Sequence, residues 1–389
     1  MRIIACLALV VLSVSGGLAA PDWNLTDLAR RNLAGIRNMP QWDSDGYGEL
    51  AWGTSYGMSA LTVMYEATGD PAYLRVLRQV IDEVLARRDS ELAARLGPAA
   101  YADTERGGRV LKAWGTGHYS GGRHTVWMVH AGILLYPMSE FVRLVREGGA
   151  RTADLRGDAD RFLPQIEAAI HEFDSEWREG PKPGMGYYVF PGGGILPNNQ
   201  MNLPGLALFS LADVTGKAEY LDKARKLATF FRSKVKLVTP GDYYVWAYSQ
   251  GPDAPPGSGE DVSHANANAL FAYEAWRHGV AFDDTDMDRL TRTVTVGLNL
   301  GQGQLAGVLG SRAPNDAYTG QAIRWGFLAR FDPAVEQVLY DYAVAHPAAG
   351  KFSGFTAALG YAYLLRARKL ARPPLQGGLV RPDASPAGP

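Results

Sequence analysis

One helical hairpin is repeated in this sequence, and the repeat limits the chain to few architectures. The motif Thr-Gly-x-x-x-Tyr-Leu occurs at 68–74 and again at 215–221. Each copy lies between two segments whose apolar residues recur at helical spacing. Self-similarity of this kind is typical of folds built from repeated units. The pattern therefore predicts antiparallel helix pairs joined by a tight turn.

Other segments of the chain fit the same unit, because their apolar residues also recur at helical spacing. They are 125–147, 166–177, 264–278, 290–298, 334–345 and 355–370. Strand signals are confined to the short aromatic stretches 186–190 and 243–248. Burial of so many amphipathic hairpins predicts an all-α fold, an (α/α) toroid of six or seven helical hairpins with long loops and short strands lining one rim. A straight helical solenoid is the alternative, but its repeats are shorter and more regular.

The charge balance argues against a protein that attracts polyanions from a distance. The sequence holds 39 Lys+Arg and 40 Asp+Glu, and its formal net charge is -1. A molecule without an overall field does not gather nucleic acid or an anionic membrane. We therefore expect neither as a partner, and an acidic polysaccharide must be held by a local cluster of charges. We also expect a monomer.

The N-terminal segment 1–20 has the features of a secretory signal. Arg2 is followed by an apolar stretch over 3–12 and by small residues at 17–20. Cleavage there removes Cys6, the one cysteine, and with it any disulfide, thiolate metal site or cysteine nucleophile. We expect a periplasmic or secreted protein with one barrel domain over 21–372. The Pro-, Gly- and Ala-rich tail over 373–389 is expected to be disordered.

Histidines are concentrated in and after the segment 114–125. His118 and His124 lie within it, beside Trp114 and Arg123, and His130 follows in the next predicted helix. Imidazole is the usual metal ligand, but no carboxylate stands at ligand spacing. A substrate-binding loop is the preferred interpretation, with a structural network and a metal site as alternatives. No cofactor is predicted.

Amide side chains are concentrated at 198–202, directly before an apolar helix. One asparagine is expected at that place as an N-cap. A cap does not account for Asn198, Asn199, Gln200 and Asn202 together. Neutral amides can hold a carboxylate or sugar hydroxyls, so we interpret the segment as part of a binding site.

The segment 259–268 places Glu260, Asp261 and His264 at the start of another predicted helix. Asp261 or Ser263 can serve as a simple cap, and acidic residues suit the positive end of a helix dipole. Because Asp261 precedes His264 by three residues, its carboxylate can orient the imidazole and raise its basicity. A histidine satisfied within the core is the competing interpretation.

A fourth polar segment, 311–320, carries Arg312 and Tyr318 before a predicted helix at 321–331. A guanidinium offers two parallel donors to a carboxylate, and a phenol can transfer a proton. The chain has 19 tyrosines, most of them expected to be packing residues. The spacing alone does not separate a catalytic tyrosine from these.

Together these segments resemble a polysaccharide lyase of the (α/α)-toroid type, a class that cleaves uronic-acid polymers by β-elimination. The Arg312 and Tyr318 pair, the asparagine-rich helix start and His264 are similar to the set used by toroid alginate lyases. The run Gly-Glu-Asp-Val-Ser-His-Ala-Asn at 259–266, preceded by Tyr-x-Trp-x-Tyr at 244–248, looks closest to polysaccharide lyase family 38. That family comprises glucuronan and alginate lyases with an (α/α)7 barrel.

The resemblance, which covers about 42–370, implies a lyase acting on glucuronan or mannuronate-type alginate without a cofactor. It implies that Tyr318 acts as acid and base, and that Arg312 either activates Tyr318 or binds a substrate carboxylate. Asn199 and His264 would neutralise the carboxylate, and His124 is the alternative base. The other substrate contacts that it implies are His118, Arg123, Asn198, Gln200, Glu260, Asp261 and the sugar platforms Trp114, Tyr244 and Trp246.

The reaction explains why such residues are gathered. The C5 proton of a uronate is poorly acidic while the neighbouring carboxylate is ionised, so donors must first neutralise that charge. A base then removes the proton and an acid protonates O4 as its bond to C4 breaks. In β-D-glucuronate and β-D-mannuronate the two atoms lie on one face of the ring, so one tyrosine can do both. In guluronate they lie on opposite faces.

Three rival functions stay open at this point. A glycoside hydrolase on the same toroid needs two carboxylates flanking the scissile bond, and the candidates are Asp43, Asp45, Glu49, Asp103, Glu260 and Asp261. A uronyl C5-epimerase shares the first half of the lyase reaction and the same residues. A non-catalytic sugar-binding protein needs only the aromatic platforms.

Overall fold

The computed structural model describes residues 21–38, 45–314, 316–346 and 352–370. The expected signal at 1–20, with Cys6, and the expected tail at 373–389 lie outside the described residues, as does Asp43. The domain limits 21–372 therefore stay a prediction.

Helices account for most of the described chain. They are α1 (Leu25–Leu33), α2 (Ser55–Thr68), α3 (Ala72–Leu85), α4 (Asp89–Leu96), α5 (Met128–Glu147), α6 (Arg156–His171), α7 (Asn198–Thr215), α8 (Ala218–Arg232), α9 (Val262–Arg277), α10 (Asp284–Arg292), α11 (Asp316–Thr319), α12 (Ala334–Ala345) and α13 (Gly354–Leu370). A 3₁₀ segment spans Ala322–Arg330, and π-helical turns span Leu50–Thr54 and Thr293–Leu298.

Six of these elements form a closed inner ring within the described residues. In order around the ring they are α2, α5, α7, α9, the 3₁₀ segment Ala322–Arg330 and α13, which closes on α2. Each packs on an outer helix: α3 on α2, α6 on α5, α8 on α7, α10 on α9, α12 on the 3₁₀ segment and α1 on α13. The predicted (α/α) toroid is confirmed, with six hairpins rather than the seven of family 38.

The repeated Thr-Gly motif ends α2 and α7 in the same way. Gly69 and Gly216 adopt left-handed backbone conformations, with φ of 74° and 68°, where a side chain would be strained. The hydroxyls of Thr68 and Thr215 donate to the carbonyl four residues earlier and accept from the amide two residues later. The predicted tight turn is thus the same structure at both places.

Strand hairpins stand before four of the inner elements. They are β1 (Gly115–Thr116) with β2 (Thr125–Val126), β3 (Trp177–Glu179) with β4 (Gly186–Tyr188), β5 (Lys236–Val238) with β6 (Tyr243–Val245), and β7 (Asn299–Gly301) with β8 (Gln304–Leu305), all antiparallel. Because each inner helix is followed by a returning outer helix, the inner N-terminal ends meet at one rim. The hairpins line that rim, as the sequence predicts.

Several predicted boundaries differ from the structure. The helix expected at 125–147 begins at Met128, because Thr125 and Val126 pair in β2. The helix expected at 166–177 begins at Arg156 and ends at His171, and the one expected at 290–298 continues α10 as a π-helical turn. No asparagine caps α7, since Pro197 is its N-cap and Asn198 its first residue.

The opposite end of the ring is closed by buried ion pairs. Glu66 of α2 accepts hydrogen bonds from Arg143 of α5 at 2.9 Å and from Arg366 of α13 at 2.5 Å. Arg143 also binds Glu140, whose carboxylate accepts from Ser210 of α7 at 2.7 Å. The network ties the C-terminal halves of four inner helices, α2, α5, α7 and α13, together. The charge of Arg277 on α9, which also acts on Glu66, brings the number to five.

Among the described residues, α5 is the one helix with the length and composition to cross a membrane. Of its apolar window, 94% is buried inside the fold, and α2, α6 and α7 pack around it. A core helix that is apolar on all sides has the same properties, and α5 belongs to the inner ring.

Candidate functional site

A cavity of about 520 Å³ opens at the rim where the inner N-terminal ends meet. All six inner elements contribute side chains to it, mostly from the N-terminal halves of the helices and the loops before them. The positive ends of the helix dipoles therefore face the cavity. Its volume lies in the usual range for a small-molecule site.

One wall of the cavity is polar. It is formed by Asn199 and Gln200 of α7, Tyr248 in the loop after β6, Ser263, His264 and Asn266 of α9, and Arg324 of the 3₁₀ segment. Within the described residues, no Asp or Glu lines the cavity.

His264 is held by the carboxylate of Asp261. The imidazole Nδ1 lies 2.5 Å from Oδ2 of Asp261, whose other oxygen accepts from the amides of Ser263 and His264 as the N-cap of α9. Burial raises the pKa of Asp261, but its bonds to His264 and the imidazole charge outweigh that and hold the pKa below its ordinary value. An ionised Asp261 fixes the proton on Nδ1 and leaves Nε2 as the basic nitrogen. Both sequence interpretations of Asp261, cap and orienter, hold in this geometry.

Arg324 brings a positive charge to the cavity. Its side chain is buried, with 4% exposed, and its guanidinium lies 4.6 Å from the ring centre of Tyr56. One terminal nitrogen donates to the hydroxyl and the carbonyl of Ser263, both at 3.1 Å. Its Nε has no hydrogen-bond partner in the part of the chain that the structure describes. No carboxylate pairs with it among the described residues, so a ligand can supply the counter-ion.

Five more buried polar atoms of the lining have no partner in the described structure. They are Oδ1 of Asn199, Nδ2 of Asn266, Nε2 of His130 and the indole nitrogens of Trp52 and Trp127. Buried polar groups are nearly always hydrogen-bonded. Donors and acceptors left open toward one cavity are what a bound polar ligand would satisfy. Burial lowers the pKa of His130 to about 3, so its ring is neutral.

Tyr248 connects the amide and imidazole parts of the polar wall. Its hydroxyl accepts from Nε2 of Gln200 at 3.3 Å, and its ring packs edge-on against His264 at 5.2 Å. Burial raises the pKa of Tyr248 above its ordinary value. The phenol is therefore protonated at neutral pH and can act as a proton donor.

The other wall is aromatic. Its rings are Trp52 in the π-helical turn before α2, Tyr56 at the start of α2, Tyr119 at the tip of the β1–β2 hairpin, Trp127 before α5 and Phe190 after β4. Trp127 and Phe190 pack edge to face at 6.1 Å. The rings give the cavity an apolar face opposite the amides and the guanidinium, a combination that suits a pyranose ring.

The structure brings together three of the residues predicted to be in the site, Asn199, Gln200 and His264, with Asp261 behind the imidazole. Sequence reasoning assigned no role to Arg324 or Asn266 and none to Tyr248 beyond its motif. Tyr248 is the last residue of the Tyr-x-Trp-x-Tyr motif, which was a usable signal. Arg324 lies among apolar residues of a helical segment, so the sequence around it gave no signal of a role in the site.

Tyr318 and Arg312 do not line the cavity. Tyr318 is 41% exposed on the short helix α11. Arg312 is exposed, and its guanidinium donates to the carbonyls of Val296 and Asn299 at 3.1 and 3.5 Å. In this structure the pair is not joined to His264 and Asn199, contrary to the expectation from the resemblance.

The histidine-rich segment is divided between two places. His124 pairs with the buried Asp89 at 2.7 Å beneath the β1–β2 hairpin, away from the main cavity. Arg123 is exposed and pairs with Glu105 at 3.0 Å. His118 is exposed outside the cavity mouth. The resemblance to toroid lyases also implies that His124 and Arg123 line the wall opposite His264, but in the structure that wall is aromatic and contains neither residue.

The three expected sugar platforms are core residues. Trp114 donates to the carbonyl of Val84 at 2.8 Å, Trp246 stacks on Trp325, and the hydroxyl of Tyr244 binds Asp286 at 2.5 Å. All three side chains are at most 1% exposed, so no ring face is open to a sugar. This corrects the expectation that they stack on pyranose rings.

Two expected substrate contacts have structural partners instead. Asn198 donates to the carbonyl of Ala247 at 2.8 Å and is buried. Glu260 is fully buried and accepts from Asn268 at 2.8 Å, and burial raises its pKa well above the ordinary value. Neither lines the cavity, and Glu260 does not bind His264.

The acidic residues considered for a hydrolase are also placed outside the cavity lining. Asp103 is fully buried in an ion pair with Arg106 at 2.7 Å. Asp45 lies in the small pocket beside His124, and burial together with Glu49 raises its pKa to about 7. Asp261 stands behind His264, and Asp43 is outside the described residues.

No protein-family model and no curated protein matches this chain. Solved structures match it in fold. Cellobiose 2-epimerase from Spirochaeta thermophila has a TM-score of 0.52 at 14% identity, over 89% of this chain and 96% of that one. Cellobiose 2-epimerase from Bacillus thermoamylovorans has a TM-score of 0.52 at 11% identity, over 85% and 90%.

An inactive α-1,6-mannanase variant from a Salegentibacter species, with two aspartates replaced and in complex with α-1,6-mannotetrose, also matches. Its TM-score is 0.50 at 12% identity, over 90% of this chain and 100% of that one. At these identities the likeness establishes the toroid fold and nothing finer.

Proposed function

We propose that this protein is an acidic-glycan-processing enzyme that cleaves a uronic-acid polymer by β-elimination. The proposal rests on Arg324, a buried cation that has no carboxylate partner among the described residues. Arg324 lines a cavity whose described lining contains no acidic side chain. A buried charge left uncompensated is strongly unfavourable. The carboxylate of a uronate bound beside it would compensate the charge.

The polar wall supplies each part of the reaction. Arg324 and the open Nδ2 donor of Asn266 neutralise the uronate carboxylate, which makes the C5 proton acidic. Nε2 of His264 takes that proton, with the resulting imidazolium stabilised by Asp261. The electron pair forms the C4=C5 double bond, the C4–O4 bond breaks, and Tyr248 gives its phenolic proton to O4. The open Oδ1 of Asn199 accepts from a sugar hydroxyl.

The positions of base and acid favour one stereochemical class of substrate. The rings of His264 and Tyr248 are 5.2 Å apart on the same wall. A proton removed and a proton delivered from one side require C5–H and O4 on the same face of the sugar. This arrangement supports glucuronan or mannuronate-type alginate over polyguluronate.

The cavity lining argues against a hydrolase. Both geometries of glycoside hydrolysis use a pair of carboxylates flanking the scissile bond. The described lining of this cavity contains no Asp or Glu side chain. The mannanase of similar fold, by contrast, is inactive when two aspartates are replaced.

The test is ultraviolet absorbance during incubation of the mature protein with glucuronan, polymannuronate, polyguluronate and a neutral glucan. We expect a rise from the unsaturated uronate with glucuronan or polymannuronate, reduced about 100-fold or more in His264→Ala and Tyr248→Phe. Tyr318→Phe is the discriminating variant: loss of activity there, with Tyr248→Phe active, would return the proton transfer to Tyr318. New reducing ends without absorbance in the wild type would refute the lyase.

A uronyl C5-epimerase is a second candidate, favoured by His130. This neutral imidazole lines the same cavity from α5, with Nε2 unpartnered, whereas His264 lies on α9. Epimerisation requires a group on each face of the sugar, one to remove the C5 proton and one to return it. Deuterium incorporation at C5 from D₂O without ultraviolet absorbance would identify this activity.

A further inference from the structure

A row of aromatic rings runs from the cavity to the surface. Trp52 contacts His130 with ring centres 5.3 Å apart, and His130 contacts Tyr119 at 5.7 Å. The row continues from Tyr119 to His118 at 4.4 Å and from His118 to Tyr47 at 6.0 Å. Trp52, His130 and Tyr119 line the cavity, whereas His118 and Tyr47 lie outside it.

The outer rings are unusually open to solvent. Tyr119 is 54% exposed and Tyr47 is 71% exposed, the largest value among the apolar side chains of the described residues. Single exposed apolar residues need no explanation, but a contiguous exposed cluster beside a binding cavity marks an interaction surface.

The backbone holds these rings in place. His118 and Tyr119 form the tip of the β1–β2 hairpin, where the amide of Gly122 donates to the carbonyl of Gly117 at 3.0 Å. Tyr47 lies in the turn before Gly48, which packs so closely on His130 that a Cβ there would lie 3.1 Å from the imidazole. The backbone that carries the cluster is thus restrained next to the cavity before any ligand binds, which lowers the entropy lost on binding.

We propose that Tyr47, His118 and Tyr119 form an outer sugar-binding subsite that holds the next residue of the glycan chain beyond the cavity. It rests on the proposed function, because the occupant is the continuation of the acidic glycan bound in the cavity. An aromatic face packs against the C–H face of a pyranose, and the ring row is continuous with the aromatic wall. The enzyme therefore prefers long chains over oligosaccharides short enough to be held by the cavity alone.

The experiment compares kcat and KM on the polymer and on the shortest oligosaccharide that is turned over. Tyr47→Ala is expected to raise KM for the polymer roughly threefold to tenfold, with kcat retained, and to reduce the preference for polymer over oligosaccharide. Tyr47→Phe, which keeps the ring, should restore the wild-type KM. Leu96→Ala, at an exposed apolar residue of α4, is the matched control.

An unchanged KM for the polymer in Tyr47→Ala would overturn the subsite, as would an equal rise for polymer and short oligosaccharide. Failure of the proposed function gives a different result, no turnover of any uronate polymer by the wild type. In that case calorimetric titration with the same polymers decides: weaker binding by Tyr47→Ala supports the subsite, and equal binding refutes it.

Discussion

Glu66 allows a quantitative test of the ion pairs that close the ring. Burial alone would raise the pKa of this carboxyl, but the charges of Arg366 and Arg143 outweigh burial and lower it to about 2, against 4.5 for the free side chain. A depressed carboxyl pKa contributes stability above the unfolded-state value, and the contribution is lost as the pH falls toward the folded-state value. The shift corresponds to about 3 kcal/mol at pH 7, declining to about 2 kcal/mol at pH 3.5.

The variant Glu66→Gln keeps the shape of the side chain and removes its charge. We expect the free energy of unfolding in urea to fall by about 3 kcal/mol at pH 7. The difference in free energy of unfolding between Glu66→Gln and the wild type should become smaller as the pH is lowered from about 4.5. Glu147→Gln is the matched control, because Glu147 binds the same Arg143 at 2.7 Å but is 58% exposed; its loss should stay below about 1 kcal/mol.

Two results would show that the buried pairing of Glu66 does not stabilise the ring in this way. One is an equal loss of stability in Glu66→Gln and Glu147→Gln, which would mean that burial does not strengthen the pair. The other is a gap between Glu66→Gln and wild type that is the same at pH 3.5 and pH 7.

Two further predictions concern turns and loops, and urea unfolding measures both. Gly216→Ala should lower the free energy of unfolding by about 1 kcal/mol, because Gly216 has a left-handed conformation. Gly157→Ala inside α6 should raise it by about 0.5 to 1 kcal/mol. A change of the same sign in both variants would contradict this prediction. Lys234 is buried and its ammonium donates to the carbonyls of Gly251, Pro252 and Ala254 at 2.7 to 2.9 Å. Lys234→Met should therefore lower stability by about 3 kcal/mol, and a loss no larger than that of Lys217→Met on the surface would contradict it.

The hairpins of the ring were predictable because their determinants are local. Helical spacing and the Thr-Gly turns act over a few residues, and Gly69 and Gly216 adopt the left-handed conformation that such turns require. The number of hairpins was not predictable in the same way. It depends on how α13 packs on α2 and α1, contacts between residues far apart in the chain.

The site was predicted where its residues begin helices. Asn199 and His264 lie in the first turns of α7 and α9, whose N-terminal ends meet at the cavity. Tyr244 and Trp246 were expected to face a sugar, but Tyr244 in β6 and Trp246 directly after it are both buried in the core. Tyr248 lies beyond the end of β6 at Val245 and lines the cavity. The spacing of Arg312 and Tyr318 within a loop does not determine where their side chains point. Their positions outside the cavity could therefore be known only from the structure.

Arg324 is the residue that we propose makes this cavity a site for a uronate carboxylate. Calorimetric titration of the wild type and of Arg324→Gln with a short glucuronate oligosaccharide, and with the same oligosaccharide after carboxyl reduction, tests it directly. We expect the wild type to bind the acidic form at least about 10-fold more tightly than the neutral form, and the variant to lose that preference while its binding of the neutral form changes little. Equal binding of the two forms by the wild type, or the same preference in Arg324→Gln, would contradict the account.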